Sequence, residues 1–280
     1  TQANRLKARQ CAGSPRLLEP LSGDDLWAII SAQLPQASAL PDWPKETVLQ
    51  RFKDHDPQMR PLLAAFIGDA ISHGADPFEG GMANLVAAVL EREKANWSAI
   101  GADARDKRLL AMATVCQGLP LKVLDDLPNN RFLDRKEFNL REQRFAAIVG
   151  PLRKGTDEGP TDRRLAPVEP DLLGELFALN EFHVEDGPFP DWQHADLEQA
   201  WSISPTRTRE FLARAIRDFA NHPTTLWLQS NPPTDAAAAE EHLRALQLVG
   251  LEAALASREQ QADAGAAAPG RTQVGPPRWE

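Results

Sequence analysis

Apolar residues recur at helical spacing along most of the chain, and few stretches alternate as strands do. In the first clear case Leu26, Ile29 and Ile30 fall at i, i+3 and i+4, after a start formed by Ser22, Asp24 and Asp25. Ser suits an N-cap, and acidic residues suit the positive end of the helix dipole. A loop punctuated by Pro35, Pro41 and Pro44 follows, then a predicted helix over 46–53. The strongest signal lies at 59–71, where Leu62, Leu63, Phe66, Ile67 and Ile71 form a wide apolar stripe. Pro61 suits its first turn and Gly74 suits its end. Another amphipathic helix is predicted over 82–97, with Leu85, Val86, Val89 and Leu90 on one side.

Residues 101–106 read as a junction. Beyond it the pattern predicts helices over 107–116, 121–127 and 140–149, then a breaker-rich loop over 150–162, with Pro151, Pro160 and three Gly. Residues 164–169 read as a short strand weakened by Pro167, and 171–179 return to helix. Three helices, a loop-bearing wing, a strand and a helix suit a winged helix, a relative of the helix-turn-helix. Helices over 197–201 and 207–219 follow, the second stopped by Pro223. A long Ala/Leu helix spans 236–259, with Leu243, Leu246, Leu248, Val249 and Leu251. The expected organisation is a small helical domain (15–100), a winged-helix domain with a small β wing (101–182), a helical extension that starts a repeat-like region (183–260), and a disordered Ala/Gly/Pro-rich tail (261–280).

Composition agrees with a mainly α fold. Ala and Leu number 77 against 18 for Ile and Val, and unbranched side chains lose little freedom in helices while β-branched ones suit sheets. A large parallel sheet, which reads as Val/Ile-rich runs, is excluded. The net charge of −9 argues against general binding to nucleic acid or anionic membrane. Residues 131–164 depart from it, with nine Lys/Arg against six Asp/Glu. Cys11 and Cys116 form no CxxC, so reduced structural thiols in a cytoplasmic protein are expected. No apolar run approaches the ~20 residues of a membrane span, and no signal-peptide pattern opens the chain. The start at Thr1 suits a segment of a longer protein.

The common catalytic signatures are absent. There is no GxxxxGK[ST] loop to cradle a phosphate; Lys154-Gly155-Thr156 has the residues in another order and reads as a wing tip. HExxH and GxSxG are missing. His55, His73, His183, His194, His222 and His242 are isolated and read as surface or capping residues. Glu181, Glu185, Asp186, Asp191 and Asp196 read as solvated surface rather than an acid/base pair. Trp27 and Trp97 read as core.

Four segments, in order, resemble the regulatory half of STAND-type signalling ATPases, the NB-ARC and NACHT proteins. Residues 18–30 look like the opening of the family's helical domain. Arg60-Pro61-Leu62-Leu63-Ala64 is similar to its GxP helix start, with Met59 at the Gly position. Residues 109–119 resemble the first helix of the winged helix. Pro170-Asp171-Leu172-Leu173-Gly174-Glu175 resembles the His-Asp-Leu-Leu element that ends it, with Pro170 where the family's phosphate-contacting His stands. The resemblance implies that Pro61 lies near an adenine and that Pro170 and Asp171 lie at the nucleotide-linked domain contact; Arg60 is a candidate phosphate partner beside the plainer reading of an exposed structural arginine. It implies no catalytic residue, no metal ligand and no hydrolysis by this segment alone, because the P-loop core precedes it in the family. The implied cofactor is ADP or ATP, bound only with that core. The implied partners are its own or a partner's ATPase core, and other proteins through helical repeats. Two other readings remain open: a winged-helix DNA-binding regulator using Arg141, Arg144, Arg153 and Lys154, and a helical protein-interaction module.

Overall fold

The computed structural model describes residues 21–34, 44–128, 131–150, 152–154, 163–183 and 191–266. The predicted Pro-rich loop around Pro35 and Pro41, the wing tip at Lys154-Gly155-Thr156, Glu185, Asp186, Cys11 and the tail beyond 266 fall wholly or partly outside these residues. Among the described residues no helix is long and apolar enough to cross a membrane. The chain divides into two compact units, Thr1–Val89 and Leu90–Glu280.

The N-terminal unit holds α1 (Gly23–Ala32), α2 (Lys45–His55), α3 (Pro61–Ser72) and the first half of α4 (Gly81–Ala99). The start of α1 is a capping box. Asp25 N–H donates to Ser22 Oγ at 3.2 Å, and Ser22 N–H donates to Asp25 Oδ2 at 3.1 Å. These bonds from Ser22 hold the Asp25 carboxyl below its usual range. Helix α1 packs on α3, burying Leu26 and Ile30 with Leu63, Phe66, Ile67 and Ile71. Gly68 permits this approach, because a Cβ there would sit 2.4 Å from the Ile30 carbonyl oxygen. Trp27, expected in the core, is half-buried on the flank of α1.

The C-terminal unit runs from the second half of α4 through α5 (Ala104–Val115), β1 (Leu119–Pro120), a 3₁₀ helix (Leu121–Asp126), α6 (Arg135–Val149), β2 (Arg153–Lys154), β3 (Arg163–Leu165), α7 (Asp171–Glu181), α8 (Asp191–Ile203), α9 (Pro205–Asp218), α10 (Pro223–Ser230) and α11 (Ala236–Ala266). The three strands form one antiparallel sheet in the order β1-β3-β2. Leu119 pairs with Leu165, and Arg153 with Arg164. Helix α7 packs on α5, and α9 packs on α7, α8 and α11, so packing continues across residue 182 without a break. Trp97 is buried and meets the Phe177 ring edge-on, centroids 5.1 Å apart.

Several elements differ from the sequence pattern, each for a local reason. Helix α6 starts at Arg135, five residues before the predicted Leu140, because Asp134 and Glu137 form a capping box. Leu140, the first residue of the predicted helix, is 81% exposed. Pro223 does not only end a helix: it is the first residue of α10, whose N-cap His222 accepts from Thr224 N–H at 3.2 Å. Proline suits a first turn as well as a stop. Helix α11 runs to Ala266, past the predicted end at 259 and into the stretch expected to be disordered.

Candidate functional site

The four residues that the resemblance assigns to nucleotide contact lie at two helix starts, one in each unit. Arg60 is the N-cap of α3 and Pro61 its first residue. Arg60 turns back on the buried Asp56: its N–H donates to Asp56 Oδ2 at 2.7 Å, and its Nε lies 3.4 Å from the same oxygen. Pro61 is exposed. Pro170 is the N-cap of α7, with no side-chain cap bond, and the exposed Asp171 is its first residue. The structure thus keeps each adjacent pair at a helix start and puts the two pairs in separate units.

The start of α7 does not fit a phosphate. Helix N-termini attract anions, but Pro170 offers no side-chain donor. The carboxylate of Asp171 occupies the first turn, and Leu173 N–H is taken by the Pro170 carbonyl at 2.9 Å.

One turn further along, α7 carries chemistry that the sequence reading passed over. Glu175 is 1% exposed and accepts from Arg214 Nε of α9. The amide oxygen of Gln117 faces the same guanidinium. Burial pushes the Glu175 carboxyl up to about 7, and Asp218 and Asp171 add to the rise, while Arg214 pulls it down. A proton held near neutrality suits acid/base work, but a side chain this enclosed has no reach to a substrate. Its role is structural, as a pH-dependent tie between α7 and α9. The signal was available: Glu175 is the lone charge in the apolar run of 172–179.

The linkage has a definite sign. The folded-state pKa of Glu175 lies above its ordinary 4.5, so its contribution to stability is complete below pH 4.5 and is lost as pH rises through about 7. The stability of the wild type relative to Glu175→Gln is expected to fall across that window and level off above it. Urea unfolding of both proteins at stepped pH measures it; a flat difference would remove the assigned role. His222 tilts the other way. Its Nδ1 accepts from Thr224 N–H, and its Nε2 lies 3.0 Å from Asn180 Oδ1, so the neutral ring is the one that fits. Burial first, and the His183 charge second, lower its pKa to about 4. Its contribution is present above 6.5 and lost as pH falls towards 4. The variant difference separates Glu175 from this opposing slope.

Other candidates change meaning in the structure. Asp196, expected on a solvated surface, is fully buried and accepts from Arg131 Nε and Nη2 at 3.0 and 2.8 Å. Among the described residues its other oxygen has no hydrogen-bond partner, and burial pushes its carboxyl upward. His242, expected at the surface or as a cap, is buried and bonds the Leu228 carbonyl at 2.7 Å. Cys116 is buried in the core, and burial pushes its thiol up to about 12, well away from reactivity. An open groove of about 530 Å³ lies along α8 beside His194, Glu198, Trp201 and Asp235. Glu198 there caps the chain at Thr234, accepting from its N–H at 2.9 Å. Among the described residues no group of three His, Cys, Asp or Glu could hold a metal ion.

Arg141 and Arg144, the helix residues that a DNA-binding reading needs on phosphates, point inward. Arg141 Nη1 donates to Asp103 Oδ2 at 2.5 Å and to Asp106 Oδ1 at 2.9 Å, and Arg144 Nη1 donates to Asp106 Oδ2 at 2.6 Å. They strap α6 to the start of α5. No protein family, curated protein or solved structure matches the chain.

Proposed function

We propose that the chain is the non-catalytic regulatory part of a STAND-type signalling ATPase: a small helical unit followed by a winged helix that contacts other proteins. The observation that carries this reading is the strand order β1-β3-β2 within the sequence helix, strand, helix, helix, strand, strand. That is the order in which a winged helix folds its hairpin back onto its first strand. Helix α7, which begins at the Pro170-Asp171 element, then packs on the first helix of the motif, α5. The resemblance of the four segments supplies the family.

Within this reading the winged helix works through protein contact. The outer face of α6 presents Lys136, Asn139, Leu140, Gln143 and Ala147, all exposed, with a single cation among them. One cation gives little attraction to a phosphate backbone. The switch is a hinge between the winged helix and an ATPase core that precedes this segment. Because α7 lacks the phosphate donor, ADP would be held by that core and by the helical unit around Pro61.

Titration of this chain alone with ADP and Mg-ATP tests the reading. No phosphate release is expected, and ADP is expected to bind no more tightly than inorganic phosphate, since Pro61 without the core is too little to hold the adenine. Micromolar ATP binding, about −8 kcal/mol, with turnover would overturn it. A salt-dependent shift of arbitrary duplex DNA would favour the DNA-binding reading instead.

A further inference from the structure

Between the 3₁₀ helix, β3 and the start of α9 lies a cavity of about 290 Å³. Its lining includes Lys122, Arg164 and Arg207, one from each of these elements, together with Ser204. Pro120, Val123 and Ile203 also line it, so among the described residues three cations and no carboxylate face it. That is a concentrated positive spot in a chain of net charge −9.

Arg207 and Ser204 at this wall have bonding capacity to give. Arg207 is half-buried, yet among the described residues it makes one hydrogen bond, from Nη1 to the Gln117 carbonyl oxygen at 2.7 Å, and no ion pair. A guanidinium carries five N–H donors, and a charge withdrawn from water calls for a counter-charge. Ser204 is the N-cap of α9, but its hydroxyl makes no cap bond. Pro205 has no N–H, so the amides of Thr206 and Arg207 are the ones that α9 leaves open at this end. Lys122 and Arg164 also engage other groups of the chain.

The chemistry selects a ligand class. Three cations on separate elements match the several oxygens of a tetrahedral oxyanion better than the two of a planar carboxylate. The volume lies at the lower end of small-molecule sites, enough for a phosphoryl group and a short carbon remainder against Val123 and Ile203. We propose that this cavity binds the phosphoryl group of inorganic phosphate or of a small phosphomonoester, with Lys122, Arg164 and Arg207 pairing with its oxygens and Ser204 donating its hydroxyl. Occupancy ties β3 and the 3₁₀ helix to α9, so the ligand stabilises the C-terminal unit by mass action. This site is independent of the STAND reading.

Calorimetric titration of the full chain with inorganic phosphate and with glycerol 3-phosphate, at ionic strength fixed with chloride, tests the proposal. Saturable 1:1 binding is expected, weakened roughly tenfold or more in Lys122→Ala and in Arg164→Gln. Arg217→Ala, at an exposed arginine of α9 that does not line the cavity, keeps the wild-type affinity. Circular dichroism verifies that each variant is folded. Tighter binding of the ester assigns the apolar wall to its carbon remainder, and equal binding assigns free phosphate as the ligand; both uphold the site. No binding above the chloride control, or binding unchanged in both cavity variants, overturns it. Either negative result leaves the adenine-dependent nucleotide test unaffected.

Discussion

Replacing Asp106 with alanine is expected to destabilise the C-terminal unit by about 3–5 kcal/mol, the range for removing one partner of a buried ion pair. Asp106 is 0% exposed, and both its oxygens are used. Oδ1 accepts from Arg141; Oδ2 accepts from Arg144 and from Asp103 N–H at 3.0 Å. The last bond is half of a capping box, the other half being Asp106 N–H to Asp103 Oδ1 at 3.0 Å. Alanine therefore removes two charge-assisted bonds and one half of the capping box together, leaving two guanidiniums only about a quarter exposed. Arg141 keeps Asp103; Arg144 loses the carboxylate that both orients and neutralises it. Asp106→Asn keeps the volume and one acceptor and is expected to lose clearly less. Urea unfolding reads both as midpoint shifts at unchanged slope. A loss under about 1 kcal/mol for alanine would mean that water satisfies the arginines and that the strap between α5 and α6 is marginal.

Gly174→Ala is the second large effect, and its sign opposes helix propensity. Alanine in a helix interior normally gains up to ~1 kcal/mol over glycine. In α7, however, a Cβ at 174 would lie 2.2 Å from the Val168 carbonyl oxygen and 3.2 Å from Thr114 Cγ2. The obstructing atom is backbone, and Val168 is itself pinned: its N–H donates to Thr114 Oγ1 at 3.1 Å. The segment after β3 and helix α7 must separate to admit the methyl group. A net loss of about 3 kcal/mol is expected, at the upper end for overpacking. Gly250 of α11 is the internal control, since among the described residues a Cβ there meets nothing within 4 Å. Gly250→Ala is expected to gain up to ~1 kcal/mol. Opposite signs for the two variants in thermal melts bear out the close approach; equal signs contradict it.

These residues also mark where the sequence was legible. Helices defined by an apolar stripe and a nearby start signal, such as α1 with Ser22 and α3 with Pro61, can be read from spacing alone. Local signals that conflict were harder. Pro223 both stops and starts helices, and Leu140 is an apolar residue facing solvent. Long-range partnerships left no trace in any window. Asp106 meets arginines 35 and 38 residues later, and Glu175 meets one 39 residues later. The positions of Arg60, Pro61, Pro170 and Asp171 at helix starts follow from their sequence, because prolines mark such starts. Their nucleotide role comes only from resemblance, and Pro170 argues against part of it. The cavity at Lys122, Arg164 and Arg207 was invisible for the same reason as the ion pairs: its three cations come from three elements distant in sequence.

The central claim is that this segment is the regulatory continuation of an ATPase core. The most direct measurement is the sequence of the reading frame that encodes the residues before Thr1. A GxxxxGK[ST] loop roughly two hundred residues upstream, between a predicted strand and a helix, is the expected result. A frame of that length with no such loop would contradict the assignment.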